Sequence, residues 1–210
     1  PEQTLEWSDS GVEGAARFLR RLWTFTYDRR MWIEEESKRR TGSITEYAYP
    51  AELAKVAPQL AAARREIHAN LKQADYDFHK FQFNTVASGA MKILNALGDL
   101  PQYHDASRGM PYAASYQQVL HEGMSILLRL LSPITPHISH YLWQELEFGA
   151  DILTAPWPEP DPTALIEDEI DLVVQVNGKK RADVRVPREA DRLAVEKLVL
   201  ANPNVQKYVN

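Results

Sequence analysis

Apolar residues recur at helical spacing over most of the chain, then switch to strict alternation near its end. Ser10-Gly11-Val12-Glu13 fits a capping box, in which a hydroxyl and a carboxylate satisfy orphan N–H groups at a helix start. From there Val12, Ala15, Leu19, Leu22, Trp23 and Thr26 fall on one face at about 100° per residue. Arg17, Arg20 and Arg21 fall on the opposite face. Glu34 to Pro50, charged and interrupted by Thr41-Gly42-Ser43, reads as a connection. A second helix is predicted from Ala51 to Phe81, with Leu60, Ile67, Leu71, Ala74, Phe78 and Phe81 inward. Phe83-Asn84-Thr85 marks a break and recap before a third helix carrying Ala87, Met91, Leu94 and Leu97. Gly98 to Tyr112, with Pro101, Gly109 and Pro111, reads as a long loop. Tyr116, Leu120, Met124, Leu127 and Leu131 then mark a fourth helix. Thr135-Pro136, a capping residue followed by proline at the first helical position, opens a fifth through Leu146. Each helix can bury only one stripe, so they must pack on one another as an antiparallel bundle.

Ala155-Pro156-Trp157-Pro158-Glu159-Pro160-Asp161-Pro162 cannot continue a helix. Alternate prolines remove donors and hold the backbone extended, which makes a semi-rigid linker, with Trp157 expected to pack it onto the bundle. Ile170, Leu172, Val174 and Val176 then alternate as a strand, Asn177-Gly178 is a strong hairpin signal, and Ala182, Val184 and Val186 alternate on the return. A short helix from Asp191 to Ala201 stops at Asn202-Pro203. Two strands alone are marginal in water, so a further strand is expected after Asn210. The fold class is mainly α: an antiparallel helical bundle followed by a small, incomplete α+β module with a β-hairpin. The expected boundaries are 1–150 for the bundle, 151–168 for the Pro-rich linker and 169–210 for the module.

Composition narrows the function classes. The 210 residues include no cysteine, which excludes disulfides, thiolate zinc sites and thiol nucleophiles. No apolar run is long enough to span a membrane, and the first residues carry no signal-peptide pattern. There is no initiator Met, which points to an excised piece of a longer chain. The net charge of −5 does not suggest a nucleic-acid binder, but its distribution matters more than its sum. Glu145 to Asp171 holds nine acids and no Lys or Arg, whereas Gly178 onward holds eight bases and four acids. That segregation permits a basic surface on an acidic molecule.

Catalytic signatures are missing. Of His68, His79, His104, His121, His137 and His140, only the last two stand one helical turn apart, and a zinc site needs a third ligand. Gly178-Lys179 lacks the upstream glycine of a phosphate loop, and no Gly-x-Ser-x-Gly elbow occurs. The carboxylates of Glu34-Glu35-Glu36 lie in a charge run without the burial a catalytic pair requires. The arginine face of the first helix reads either as a solvated face, with Glu13 and Arg17 an ordinary pair, or as a stripe that follows phosphates. Lys179-Lys180-Arg181 likewise reads as edge-strand protection or as a backbone-contacting finger beside a stiff turn. Trp7, Trp23, Trp32, Trp143 and Trp157 could stack on bases, although for those on helical stripes the core is favoured.

Longer motifs add a resemblance. Leu131-Ser132-Pro133-Ile134-Thr135-Pro136-His137-Ile138, followed by Leu142-Trp143, resembles a signature of the C-terminal bundle of class I aminoacyl-tRNA synthetases for branched aliphatic amino acids. Leu5 to Gly14 running into Arg17-Phe18-Leu19-Arg20-Arg21, then Phe83-Asn84-Thr85, then Ala155-Pro156-Trp157-Pro158 with Val174-Gln175-Val176-Asn177-Gly178-Lys179, resemble the bacterial-type leucyl family. The resemblance implies ATP-dependent ligation of leucine to its tRNA by a parent enzyme, with magnesium, in the cytoplasm and as a monomer. The family's His-x-Gly-His and Lys-Met-Ser-Lys-Ser elements occur nowhere in the 210 residues. This portion would therefore be non-catalytic, would need no cofactor of its own, and would work beside the catalytic domain of the same polypeptide. It implies an anticodon-binding-type bundle and a tRNA-contacting module, with Arg17, Arg20, Arg21, Lys179, Lys180, Arg181 and Arg185 as RNA-binding candidates and no metal site. Two alternatives stand beside it: the equivalent piece of another aliphatic synthetase, and a structural or protein-interaction bundle. Ala182 stands where many relatives carry glycine, and Lys180 where they carry an apolar residue, which leaves the facing of the return strand open.

Overall fold

The computed structural model describes residues 8–40, 47–50, 53–100, 112–166, 169–176, 178–187 and 190–208. The chain divides into two compact units, one through Leu165 and one from Ile166 onward. Trp7, His104, Asn177 and most of the Gly98–Tyr112 stretch lie outside the described residues.

The first unit opens on α1, Asp9–Arg39. Its N-cap is Ser8, whose hydroxyl accepts from the Gly11 N–H at 3.3 Å, not Ser10. Ser10 already lies in the first turn, and Glu13 pairs forward with Arg17 at 3.7 Å instead of reaching back. The helix also runs past the expected end near Glu34. Trp32, Ile33 and Glu36 continue the buried stripe of Phe18, Leu22, Phe25 and Arg29. The charge run resolves into one-turn pairs, Arg30 and Lys38 with Glu34, Arg39 with Glu35, Arg40 with Glu36, each of which supports a helix modestly. Residues at this spacing look like a solvated connection only when the apolar stripe beside them is overlooked.

The expected second helix is split into α2, Leu53–Val56, and α3, Pro58–His79. Pro58 has no N–H to give, so it takes the first turn of a new helix. Leu60, Ile67, Leu71 and Ala74 are buried as expected, but Phe81 is not. It sits at φ 58° in the turn after α3 and is 66% exposed, while Gln82 N–H closes the turn on Asp77 O at 2.9 Å. α4, Phe83–Gly98, therefore begins at Phe83 with Gln82 as its cap. α5, Ala113–Leu131, is the central element, buried from Ser115 to Leu131 except at Gln118. Gly123 lets α5 approach its neighbours: a methyl there would stand 2.7 Å from a Leu97 methyl and 3.0 Å from an Ile67 methyl. α6, Pro136–Glu145, follows with Thr135 in the cap position, though the Thr135 hydroxyl makes no cap bond and turns back to Leu131 O.

A helix buried on nearly all sides must satisfy its polar residues inside the core. Glu122 accepts from Arg64 at 2.8 and 3.1 Å and from the Tyr49 hydroxyl at 2.6 Å. Asp161 N–H donates to His68 Nδ1 at 3.0 Å, so His68 Nε2 carries the proton it donates to Glu122 at 3.0 Å. Arg64 also reaches Asp161 at 2.5 Å. Arg129 donates to Ser125 O and Pro156 O. The Pro-rich segment is thus tied down by charge, and Trp157 adds a ring contact to Phe78 (4.6 Å) and an N–H bond to Asp75 (2.9 Å).

The second unit is a two-stranded antiparallel sheet, β1 Glu169–Val176 and β2 Lys179–Pro187, with α7 Arg192–Ala201 and α8 Pro203–Gln206. Its small core is Ala182, Val184, Val186 and Val205, with Leu172, Val174, Val195 and Val199 around it. The register pairs Val174 with Ala182 but Gln175 with Lys180, which leaves Arg181 as the extra residue of a β-bulge. The bulge answers the facing question. Ala182 stays inward, and Lys180 is carried to the exposed face opposite Gln175 rather than into the core.

Candidate nucleic-acid interface

On α1 the arginine face follows from the stripe it opposes. Burial of Phe18, Leu22 and Phe25 turns Arg17, Arg20 and Arg21 to solvent. Arg17 is engaged by Glu13, but both side chains are about 70% exposed, so the pair holds the cation weakly. Among the described residues Arg20 and Arg21 have no carboxylate partner.

The hairpin separates its three adjacent cations. Lys179 beside the turn is exposed and unpaired among the described residues. Lys180 meets Asp183 at 2.8 Å. Arg181, displaced by the bulge, lies with its guanidinium 4.0 Å from the Tyr208 ring centre, its Nε buried without a hydrogen-bond partner. Arg181 thus closes the small core rather than extending from it. Arg185 is placed by its strand position alone, across from Asp171. Arg192, Lys197 and Lys207 are also exposed and unpaired among the described residues. No motif pointed to them, though the charge count after Gly178 included them.

One aromatic group was misplaced by the sequence pattern. Trp23 was expected inward, yet it is 41% exposed and lies on the surface between α1 and α6 with Tyr27 and Tyr141. Trp32 and Trp143 are core residues. His137 is exposed, and His140 faces Asp151 at 3.5 Å. Among the described residues no group of three ligating side chains could hold a metal ion, and no helix is long and apolar enough to cross a membrane. A cavity of about 430 Å³ lies beside Tyr47, His68, Glu122, Arg129, Trp157 and Asp161. Of its carboxylates, Glu122 is engaged by Arg64 and His68, and Asp161 by Arg64.

Exposed cations on a helix and a hairpin are features that a polyanion would meet. Residues 61–198 match the family described as "Anticodon-binding domain of tRNA ligase", and the chain belongs to that family. Its whole length is similar to leucine–tRNA ligases: 51% identical over 213 residues to that of Azoarcus sp. (strain BH72), and 48% over 212 residues to that of Coxiella burnetii (strain CbuK_Q154). It covers 22% and 23% of those relatives, so the chain spans about a fifth of their length. A solved chain in the ternary complex of an Agrobacterium radiobacter K84 LeuRS with tRNA and LeuAMS shares the fold, with a TM-score of 0.72 over 97% of this chain and 23% of that one, at 23% identity.

Proposed function

We propose that this chain holds and positions leucine tRNA for a leucine–tRNA ligase whose catalytic and editing chemistry lies in other parts of the same polypeptide. The observation that carries the reading is the set Arg20, Arg21 and Lys179: exposed cations on a helix and a hairpin, without carboxylate partners among the described residues. Arg17, Lys180 and Arg185 join them as weaker phosphate contacts. Arg181 acts through Tyr208 by stiffening the hairpin. Remote contacts of this kind accelerate a reaction by fixing where the distal end of a substrate lies. In this reading the parent enzyme uses ATP with magnesium, acts in the cytoplasm as a monomer, and draws no cofactor from these residues.

The test is titration of the chain with leucine tRNA at low salt, together with reversal of Lys179 and Lys180 to Glu in the full ligase. Salt-sensitive association is expected, along with weaker tRNA binding by the reversed enzyme and unchanged leucine activation by ATP. No association, or an equal response to a neutral polymer, would favour a structural bundle whose cations merely keep it dispersed. Loss of activation together with binding would argue against a positioning role.

A further inference from the structure

The aromatic group on the first unit is built as a surface, not as a gap in the core. Trp23 and Tyr141 are stacked at 5.4 Å with their planes 16° apart, and Tyr27 meets Trp23 at 4.9 Å. The three are 41%, 45% and 36% exposed, a large aromatic area to leave in water. Tyr27 is anchored by its hydroxyl. The Tyr27 hydroxyl donates to Glu145 at 3.3 Å, and Arg30 fixes Glu145 at 3.0 Å while also binding Glu34. The hydrogen bond with Tyr141 leads, followed by burial and then by Glu145 nearby, in pushing the Tyr27 phenol up to about 12.

Charge discriminates between occupants. Glu145 beside the rings is engaged by Arg30, which it shares with Glu34, and Lys38 also meets Glu34, whereas Arg20, one turn before Trp23, keeps a free guanidinium among the described residues. An aromatic face with an uncompensated cation a turn away matches a nucleotide, whose base stacks and whose phosphate takes the charge. A purely apolar partner would leave Arg20 unanswered.

We propose that Trp23, Tyr27 and Tyr141 form a stacking platform for an unpaired nucleotide base, with Arg20 taking the adjoining phosphate. This rests on the tRNA-holding reading and adds to it a contact with a base, where that reading needs only phosphates.

The test compares a short single-stranded RNA with an abasic ribose-phosphate strand of equal length, both titrated into the 210-residue chain at fixed salt. The base-bearing strand is expected to bind about tenfold more tightly. Trp23→Ala is expected to abolish that preference while leaving the abasic affinity and its salt dependence unchanged. Trp23→Phe, which keeps an aromatic face, is expected to retain most of it and serves as the folding control, checked by thermal melting. Equal affinity for the two strands, or a preference untouched by Trp23→Ala, would overturn the platform while leaving phosphate binding standing, as expected if another protein surface covers the rings. Failure of both strands to bind at low salt would instead remove the tRNA-holding reading and the platform with it.

Discussion

At the scale of single residues, most of the information lies in how buried polar groups are paired. Ser37 donates its hydroxyl proton to Leu146 O at 2.7 Å, so it must accept from His121 Nε2 at 3.1 Å. That leaves His121 Nδ1 to accept from the Tyr47 hydroxyl at 2.8 Å. One neutral imidazole thereby links α1, α5, the end of α6 and the 47–50 segment. Burial, with Arg40 and Arg129 nearby, lowers the His121 pKa to about 3. In the unfolded chain its pKa is near the ordinary ~6.5. Below that pH the unfolded state takes up a proton that the folded state refuses, so stability is full above it and declines on acidification toward about 3. The chain is expected to lose about 2 kcal/mol between pH 7 and pH 5 from this group, read from urea unfolding. His121→Gln should flatten that interval, and an unaltered slope in the variant would refute the assignment. The carboxylates act at lower pH. Burial opposes the charge on Glu122 and Asp161, but His68 and Arg64 for the first, and Arg64 and Thr163 for the second, hold both below the usual range, Asp161 at about 2. Their contribution is present above about pH 4 and is lost as pH falls through the folded values.

At the scale of elements, close approach around α5 sets the bundle. Gly123 faces methyl groups of Leu97 on α4 and Ile67 on α3, so Gly123→Val would overpack three helices at once. A loss of about 2–3 kcal/mol is expected, measurable as a shift of the urea midpoint at constant slope; a neutral effect would mean that the helices are not in van der Waals contact there. The helices themselves were legible in the sequence because long stripes such as Leu60–Ile67–Leu71 and Tyr116–Leu120–Met124 survive any detail of packing. Their ends and facings were less so. Val12 is exposed although the periodicity put it inward, and the buried stripe is Phe18, Leu22, Phe25 and Trp32. That rotation of the stripe is what brings Trp23 to the surface. The Arg181 bulge was illegible for a related reason: the aromatic ring that holds Arg181 belongs to Tyr208, far along the sequence in the turn after α8. Alternation along β2 indicates two faces but does not show where a residue is inserted.

At the scale of the whole molecule, a net charge of −5 would argue against RNA if it were spread evenly. It is not. In the first unit Arg64 engages Glu122 and Asp161, and Arg30 engages Glu34 and Glu145, while Arg20 and Arg21 stand free among the described residues. In the second unit Lys179, Arg192, Lys197 and Lys207 do the same. Sequence reasoning could name candidate cations but could not sort them, since sorting depends on partners such as Asp183 and Tyr208 that only the folded chain brings near. The sorted set makes a quantitative statement, because each phosphate neutralised contributes about 0.7–0.9 to the slope of log affinity against log salt. The most direct measurement is that slope for leucine tRNA binding to the chain and to the triple variant Arg20→Ala, Arg21→Ala, Lys179→Ala. A slope shallower by about 2–3 in the variant is the expected result; identical slopes would show that these three cations meet no phosphate and would contradict the account.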